Sequence, residues 1–439
     1  MLTADNLLFK VASLAALALT ASCADVPSDN NLWKVPARLK DGSQELAWQQ
    51  LPANGAVKVD VASADGRKFS HYPFIYNVGG TLYLLFSASA NDVDGMGQDV
   101  RIASSTDAGI TWTKPEVAFP SALLPNQTSV EDSKSYCDQG IPQRALQPLT
   151  IAFLPGGDEG SFQVFAVAQS SDNICPGYFQ SAGRIARELD VRGSGLFKGD
   201  PCWIETNDYT GAHEWAETVY GTQYQMKVCD NKDVINAAIS QPDNLGPVAT
   251  ELFNAPIIAS DGQHNVSYPT KAEWVGAYDD GYWQRFWSDV SVRNTTGSAW
   301  VEYSTDKDGK NWYPATTSGS AIRETNIYQV AEKAHYGAFS GSEQLRYYVS
   351  NAGMNDKLDQ IILTVATSRG DDPAFNGIGI VRGGDAGSEV SAGTRPAVHS
   401  GLPGFYWPSA AEVGDKLAIA YSENRQAIWV SVLNMTDLP

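Results

Sequence analysis

Cysteine is scarce in this chain of 439 residues, with only five: Cys23, Cys137, Cys175, Cys202 and Cys229. None stands in a Cys-x-x-Cys pair, which argues against a structural zinc site. Histidine is equally scarce, also five. Basic residues are outnumbered, 31 Lys and Arg against 50 Asp and Glu, for a net charge of −19. No basic cluster interrupts that balance, which argues against a nucleic-acid partner. Apolar runs of membrane-spanning length are missing too, because the longest, near the N-terminus, is too short to cross a bilayer comfortably. Aromatics and turn formers are abundant instead: Trp 12, Tyr 19, Phe 15, Gly 39 and Pro 22. That mixture suits many short strands better than long helices. The length allows a large buried core.

The N-terminal stretch "LLFKVASLAALALTASC" carries one Lys, an apolar run and small residues before Cys23. It reads as a targeting segment and is set aside from the fold. "LTASC" resembles a bacterial lipoprotein cleavage box, although Thr20 stands where an aliphatic residue is usual. The resemblance implies a lipid on Cys23, and the other reading is an ordinary signal peptide cut nearby. Both imply export, to the bacterial cell envelope (as an outer-membrane lipoprotein or in the periplasm) or outside the cell. Any membrane contact would pass through that anchor alone. Residues 1–23 are therefore the signal, 24–43 a polar tether, and 44–439 the folded domain, expected to be a monomer. In an oxidising compartment the four remaining cysteines are expected to pair.

From about Leu46 the chain alternates strand and turn. "YPFIYNV", Gly79-Gly80 and "TLYLLFSAS" form a glycine-turned hairpin. The polar loop "ANDVDGMGQ" and the strand "DVRIASS" follow. Similar meanders begin near residues 146, 267 and 336, and "YWPSAAEV", "LAIAYSE" and "AIWVSVL" close the chain. Repeated antiparallel meanders of this kind predict a β-propeller. Five meanders are visible. The irregular stretch 200–260 is expected to hide another, so six blades are predicted, with five or seven as alternatives. The last meander lacks an outer strand, which "ELAWQQLP" (45–52) or "VKVDVAS" (57–63) could supply to close the ring.

After "DVRIASS" comes Ser105-x-Asp107-x-Gly109-x-Thr111-Trp112. Ser and Asp side chains bond nearby backbone N–H groups in tight turns. Glycine takes a conformation closed to other residues, and Trp packs between sheets. The pattern matches the Asp-box, or BNR repeat. A degenerate second copy, "TDKDGKNW", keeps Gly309 and Trp312 while Lys307 replaces the aspartate. The box is thus structural, and it orients the blade. Because strands alternate direction, the opposite end collects His71, Tyr72, the loop with Asp92 and Asp94, Arg144, His264 to Tyr268, Arg395, Tyr406, Trp407 and Arg425. That end is the mouth of the channel. Cys137 and Cys175 both fall on the mouth side of one blade, which favours a Cys137–Cys175 bridge and leaves Cys202–Cys229.

The Asp-box among these meanders resembles the sialidase superfamily over most of the mature chain. In that family the first blade opens with Arg-Ile-Pro and then carries a catalytic aspartate. Here Pro73 matches, His71 stands at the arginine, and Asp94, with Asp92 beside it, falls within one residue of the acid/base. The family's nucleophilic tyrosine falls at Trp407, with Tyr406 one residue earlier. A second family arginine falls near Ser89, and Arg395 or Arg346 could stand in for a missing one. The resemblance implies that no cofactor is required.

Three readings follow. In the first, a glycoside hydrolase of altered specificity uses Asp94 or Asp92 as general acid, with Tyr406 opposite. The bland reading of that loop is a solvated or calcium-binding turn. In the second, a propeller lyase acts on uronate-containing glycans. His71 with Tyr72, or His264 with Tyr268, would be base and acid, and Arg144 or Arg395 would neutralise the carboxylate. Adjacent residues of a regular strand point to opposite faces, which argues against His71 acting with Tyr72. In the third, the propeller only binds an oligo- or polysaccharide, with Tyr406 and Trp407 stacking on sugar rings. The bland reading of that pair is packing between blades.

Overall fold

The computed structural model describes residues 32–35, 48–52, 55–90, 98–120, 143–155, 162–173, 179–193, 195–206, 228–244, 257–259, 261, 263–276, 281–289, 298–309, 312, 323–328, 333–339, 345–351, 362–383 and 404–439. Two short strands come first, β1 (Gln49–Gln50) and β2 (Ala56–Val61). Blade one is β3 (Phe69–Val78), β4 (Thr81–Ser89), β5 (Asp99–Ser105) and β6 (Glu116–Phe119). Blade two is β7 (Gln143–Pro155), β8 (Phe162–Asn173), β9 (Phe179–Leu189) and β10 (Phe197–Thr206). The one α-helix among the described residues, α1 (Lys232–Ile239), precedes blade three. That blade comprises β11 (Ile257–Ile258), β12 (Asn265–Ser267), β13 (Glu273–Val275), β14 (Tyr282–Asp289), β15 (Ser298–Ser304) and β16 (Arg323–Tyr328). Blade four is β17 (His335–Phe339), β18 (Leu345–Ser350), β19 (Leu363–Arg369) and β20 (Gly377–Arg382). Blade five is β21 (Phe405–Val413), β22 (Lys416–Glu423) and β23 (Ala427–Asn434).

The fold is an all-β propeller. Among the described residues it has five sheets, not the six expected. The stretch 200–260 is the reason. Its first residues complete β10, the outer strand of blade two. A Cys202–Cys229 disulfide then ties that strand to the segment leading into α1. Ile235 and Ile239 of α1 pack with Leu149, Ala152, Phe165 and Val167 of blade two. Beyond the helix, Asn244 accepts from Thr150 Oγ1 at 2.5 Å, and the Pro242 carbonyl accepts from Ala272 N–H at 2.7 Å. This segment therefore links blades two and three as a wedge. Its described apolar residues Ile235 and Ile239 pack on blade two.

Ring closure follows one of the two expected routes. β2 pairs antiparallel with β23, Val57 opposite Val430, and becomes the fourth strand of blade five. The other candidate segment contributes β1, which pairs parallel with β20 of blade four.

The blades pack because their strands are apolar on both faces. In β4, Leu82, Leu84, Phe86 and Ala88 face blade five, whereas Tyr83 and Leu85 face blade two. The Gly79-Gly80 turn has φ of 58° and 91°, as a two-residue hairpin of this type requires.

The Asp-box closes the turn from β5 to β6. Gly109 N–H donates to Ser105 Oγ at 2.8 Å, and Thr111 N–H to Asp107 Oδ1 at 2.9 Å. Gly109 has φ of 89°, and an added Cβ would lie 3.1 Å from Val432 of blade five. Trp112 packs into the seam between blades one and five, and its Nε1 donates to Gly109 O at 3.1 Å. The degenerate copy keeps the turn. Gly309 has φ of 60°, Asp308 N–H donates to Asp306 Oδ1 at 3.1 Å, and the Arg285 guanidinium lies 3.8 Å from the Trp312 ring. Asp306 thus bonds a backbone N–H in the turn where Lys307 replaces the box aspartate.

Candidate functional site

The mouth is built by a recurring dipeptide. Tyr72-Pro73, Tyr268-Pro269 and Trp407-Pro408 lie in the inner strands of blades one, three and five. A residue before proline is pushed towards extended backbone. Yet Tyr72, Tyr268 and Trp407 have φ of 53°, 52° and 57°. Bulky residues in this region store strain on the order of 1–3 kcal/mol each. In blades one and five the dipeptide is a β-bulge: Tyr72 and Pro73 stand against Phe86, and Trp407 and Pro408 against Tyr421. In blade three the inner strand breaks there into β12 and β13, both paired with β14.

The bulges turn these side chains onto one another. Trp407 meets Tyr72 edge-on at 4.6 Å between ring centroids, and Tyr268 at 4.9 Å. Phe69 and Tyr406 complete the cluster. The His71 ring lies 4.2 Å from Tyr72, 5.8 Å from Trp407 and 6.1 Å from Tyr406. Sequence reasoning set His71 and Tyr72 on opposite faces of a regular strand, but the bulge removes that regularity and sets them side by side. His71 is buried, and neither ring nitrogen has a hydrogen-bond partner among the described residues. Burial, and then the Arg425 cation, hold its pKa well below the ordinary histidine range. It is therefore a neutral imidazole at physiological pH. Arg425 sits in the turn from β22 to β23 with φ of 59°, its guanidinium 4.8 Å from the Tyr406 ring. The Lys333 ammonium lies over Trp407 at 5.4 Å.

Other expected residues are placed elsewhere. His264 lies outside the cluster. Its Nδ1 is 2.5 Å from Asp261 Oδ2, and its ring lies 5.2 Å from that of Trp300. Arg346 is no mouth residue: it is buried and donates to the carbonyls of Gly370 at 2.8 Å and Asp372 at 2.6 Å. The backbone of Arg144 pairs with Asp172 in blade two, and its side chain lies outside the described residues. So do Asp92, Asp94, Arg395, Cys23, Cys137 and Cys175. Among the described residues, no group of three or more His, Cys, Asp or Glu is placed to hold a metal ion. The loop proposed for calcium falls outside them.

No family model matches this chain, and no curated protein matches it. Solved structures do. One is a sialidase, 14% identical, with 92% of this chain and 35% of the other covered and a TM-score of 0.59. The fold is that of a sialidase-like β-propeller. The chain spans about a third of that sialidase's length, 35%. Other solved structures align more loosely. The intramolecular trans-sialidase from Ruminococcus gnavus is 10% identical, with 87% of this chain and 97% of that one covered and a TM-score of 0.46. A member of the GH130 family of mannoside phosphorylases and glycoside hydrolases is 12% identical, with coverage of 91% and 97% and a TM-score of 0.40.

Below its mouth, the propeller carries a second group of polar side chains that sequence reasoning missed. Lys271 and Glu273 of blade three form a 2.6 Å ion pair. Burial works against the Lys271 ammonium, but Glu273 more than offsets it and raises the pKa. Tyr347 of blade four reaches this level because Gly337 has no side chain: a Cβ there would overlap the tyrosine hydroxyl. Burial, with the carboxylates of Glu412 and Glu273, pushes its pKa well up. His335 stacks on the Tyr347 ring at 5.9 Å. The legible signal was Lys333-x-His335-x-Gly337, a period-two run at the start of an inner strand.

Proposed function

We propose that this chain is an exported carbohydrate-active propeller, a glycoside hydrolase of altered specificity acting on extracellular glycans. The observation that carries this reading is the convergence of three strained aromatics, from three blades, on a buried neutral histidine and two cations at one end of the ring. Strained backbone and bulges concentrate where ligands bind, and aromatic rings with a few polar groups are what sugar sites use. In this reading Asp94, with Asp92 as its neighbour, protonates the leaving oxygen, and Tyr406 acts from the opposite side.

One observation favours a second reading, a lyase on uronate-containing glycans. His71 and Tyr72 are adjacent in space, and a neutral imidazole is the form that can take a proton. Arg425 would then neutralise the uronate carboxylate.

The two readings separate on one panel of polysaccharides and aryl glycosides, assayed with the wild type, Asp94→Asn and His71→Gln. The hydrolase yields new reducing ends without near-ultraviolet absorbance, and Asp94→Asn abolishes them. The lyase yields an unsaturated, absorbing product that survives Asp94→Asn and disappears with His71→Gln. Glycan binding without either product would remove both enzymatic readings and leave a binding module.

A further inference from the structure

Residues 32–35 fall in the stretch that the sequence marks as a tether, yet they are seated on blade four. Leu32 and Val35 are buried in the core between blades three and four, and Trp33 packs on Phe375 at 6.1 Å between ring centroids. The backbone is fixed as well: Lys34 N–H donates to Phe375 O and Phe375 N–H to Leu32 O, both at 2.8 Å. Phe375 belongs to the turn from β19 to β20. Strand direction assigns that turn to the Asp-box end of the ring. Lys333, over Trp407, sets the start of β17 at the mouth. β18 is antiparallel to both β17 and β19, so β19 runs away from the mouth, as β5 does before the Asp-box. The chain therefore enters the fold at the end opposite the mouth.

The same end carries exposed apolar side chains. Ile110 stands in the Asp-box turn, Val117 near the start of β6, Phe153 near the end of β7 and Phe162 at the start of β8. The other two large apolar side chains exposed among the described residues, Val228 and Val234, belong to the segment of α1. Phe153 and Phe162 lie 6.4 Å apart, and the Arg192 guanidinium is 4.9 Å from the Phe162 ring. Aromatic, aliphatic and basic side chains in company suit the headgroup region of a bilayer. A chain of net charge −19 is nonetheless repelled from an anionic leaflet, so these few side chains need an anchor to hold them there. Leu32 is nine positions after Cys23, a span of at most about 30 Å when fully extended. That is roughly the height of a nine-residue strand such as β4. To lay the mouth on the membrane, this leash would have to run fully extended along the whole blade.

We propose that the Asp-box end of the propeller is its membrane-facing surface: a lipid on Cys23 tethers it, Ile110, Phe153 and Phe162 touch the bilayer, and the mouth opens away. This rests on the lipid-anchored reading of the N-terminus and does not need the carbohydrate reading. The sequence implies membrane contact through the anchor alone, and the exposed apolar side chains add a second contact beside it.

The test uses the full chain, made with its own N-terminus in a bacterium and placed in nanodiscs of phosphatidylethanolamine and phosphatidylglycerol. Intact mass first reads the lipid on Cys23. Surface lysines are then acylated, with Cys23→Ser beside the same nanodiscs as the unanchored reference. Lys114 and Lys198 report on the Asp-box end, and Lys68, just before β3, on the mouth; all three are exposed. Lys114 and Lys198 should react several-fold more slowly in the anchored chain than in Cys23→Ser, while Lys68 keeps its rate. Ile110→Ser combined with Phe162→Ser should weaken that protection and leave the chain anchored. Protection of Lys68 in place of Lys114 would overturn the proposal, and so would equal rates at both ends. Protection that rises with protein concentration and needs no bilayer would assign this end to a second copy of the chain. An unmodified Cys23 would remove the anchor and the proposal together. The glycan panel tests the carbohydrate reading separately, so the two can fail apart.

Discussion

Asp107 accepts three hydrogen bonds within its turn, from Thr111 N–H, Thr111 Oγ1 and Ser105 Oγ. Those from Thr111 are the main cause of a pKa lowered to about 2. A carboxylate depressed in the folded state stabilises above its unfolded pKa, and that contribution is lost as pH falls through the folded value. Asp107→Ala should thus lose about 1 kcal/mol at neutral pH, the usual worth of a turn's exposed hydrogen bonds. The gap to wild type in urea unfolding should close between about pH 4 and pH 2. A gap independent of pH would mean that Asp107 acts through shape alone. The Asp-box was legible because its chemistry is local: every partner lies within four residues. The strained conformation of Tyr72, Tyr268 and Trp407 was not, since it arises from bulges and inter-blade packing. Only the thrice-repeated aromatic-proline pair marked it.

β2 shows what one short strand can do. It holds the outer edge of β23, pairing Ala56 to Val61 with Ser431 to Ala427. A chain starting after Val61 would leave β23 with an open edge, which is a template for association. Such a truncation should unfold at a lower temperature and self-associate in light scattering. An unchanged melting curve would show that blade five stands with three strands. The hairpin β3–β4 and the closing strand were legible because a period-two pattern and a glycine pair state their own geometry. Blade count was not legible. Residues 200–260 show no regular strand–turn pattern, and nothing local tells a linking segment from a blade.

The same segment carries the disulfide found among the described residues. Cys202 and Cys229 are 27 residues apart, and closing a loop of that length restrains the unfolded chain by roughly 3.5 kcal/mol. Replacing both by serine should lower the urea midpoint and loosen the joint between blades two and three first, visible as early hydrogen exchange in α1. Uniform exchange across the molecule would mean that the ring unfolds as one unit regardless of the bridge.

That the ring is closed by Val57 against Val430 also sets an order in time. A ribosome makes β2 before blades one to five and β23 after the first four of them, so β2 waits through the synthesis of the whole ring for its partner. Contacts this distant in sequence form slowly. During that wait the outermost strand of blade five is an unpaired ribbon, with the rest of its sheet not yet made. If the chain is exported as proposed, β2 crosses the membrane before any strand of the blade it completes. Its protection from mispairing until then falls to whatever chaperones receive it.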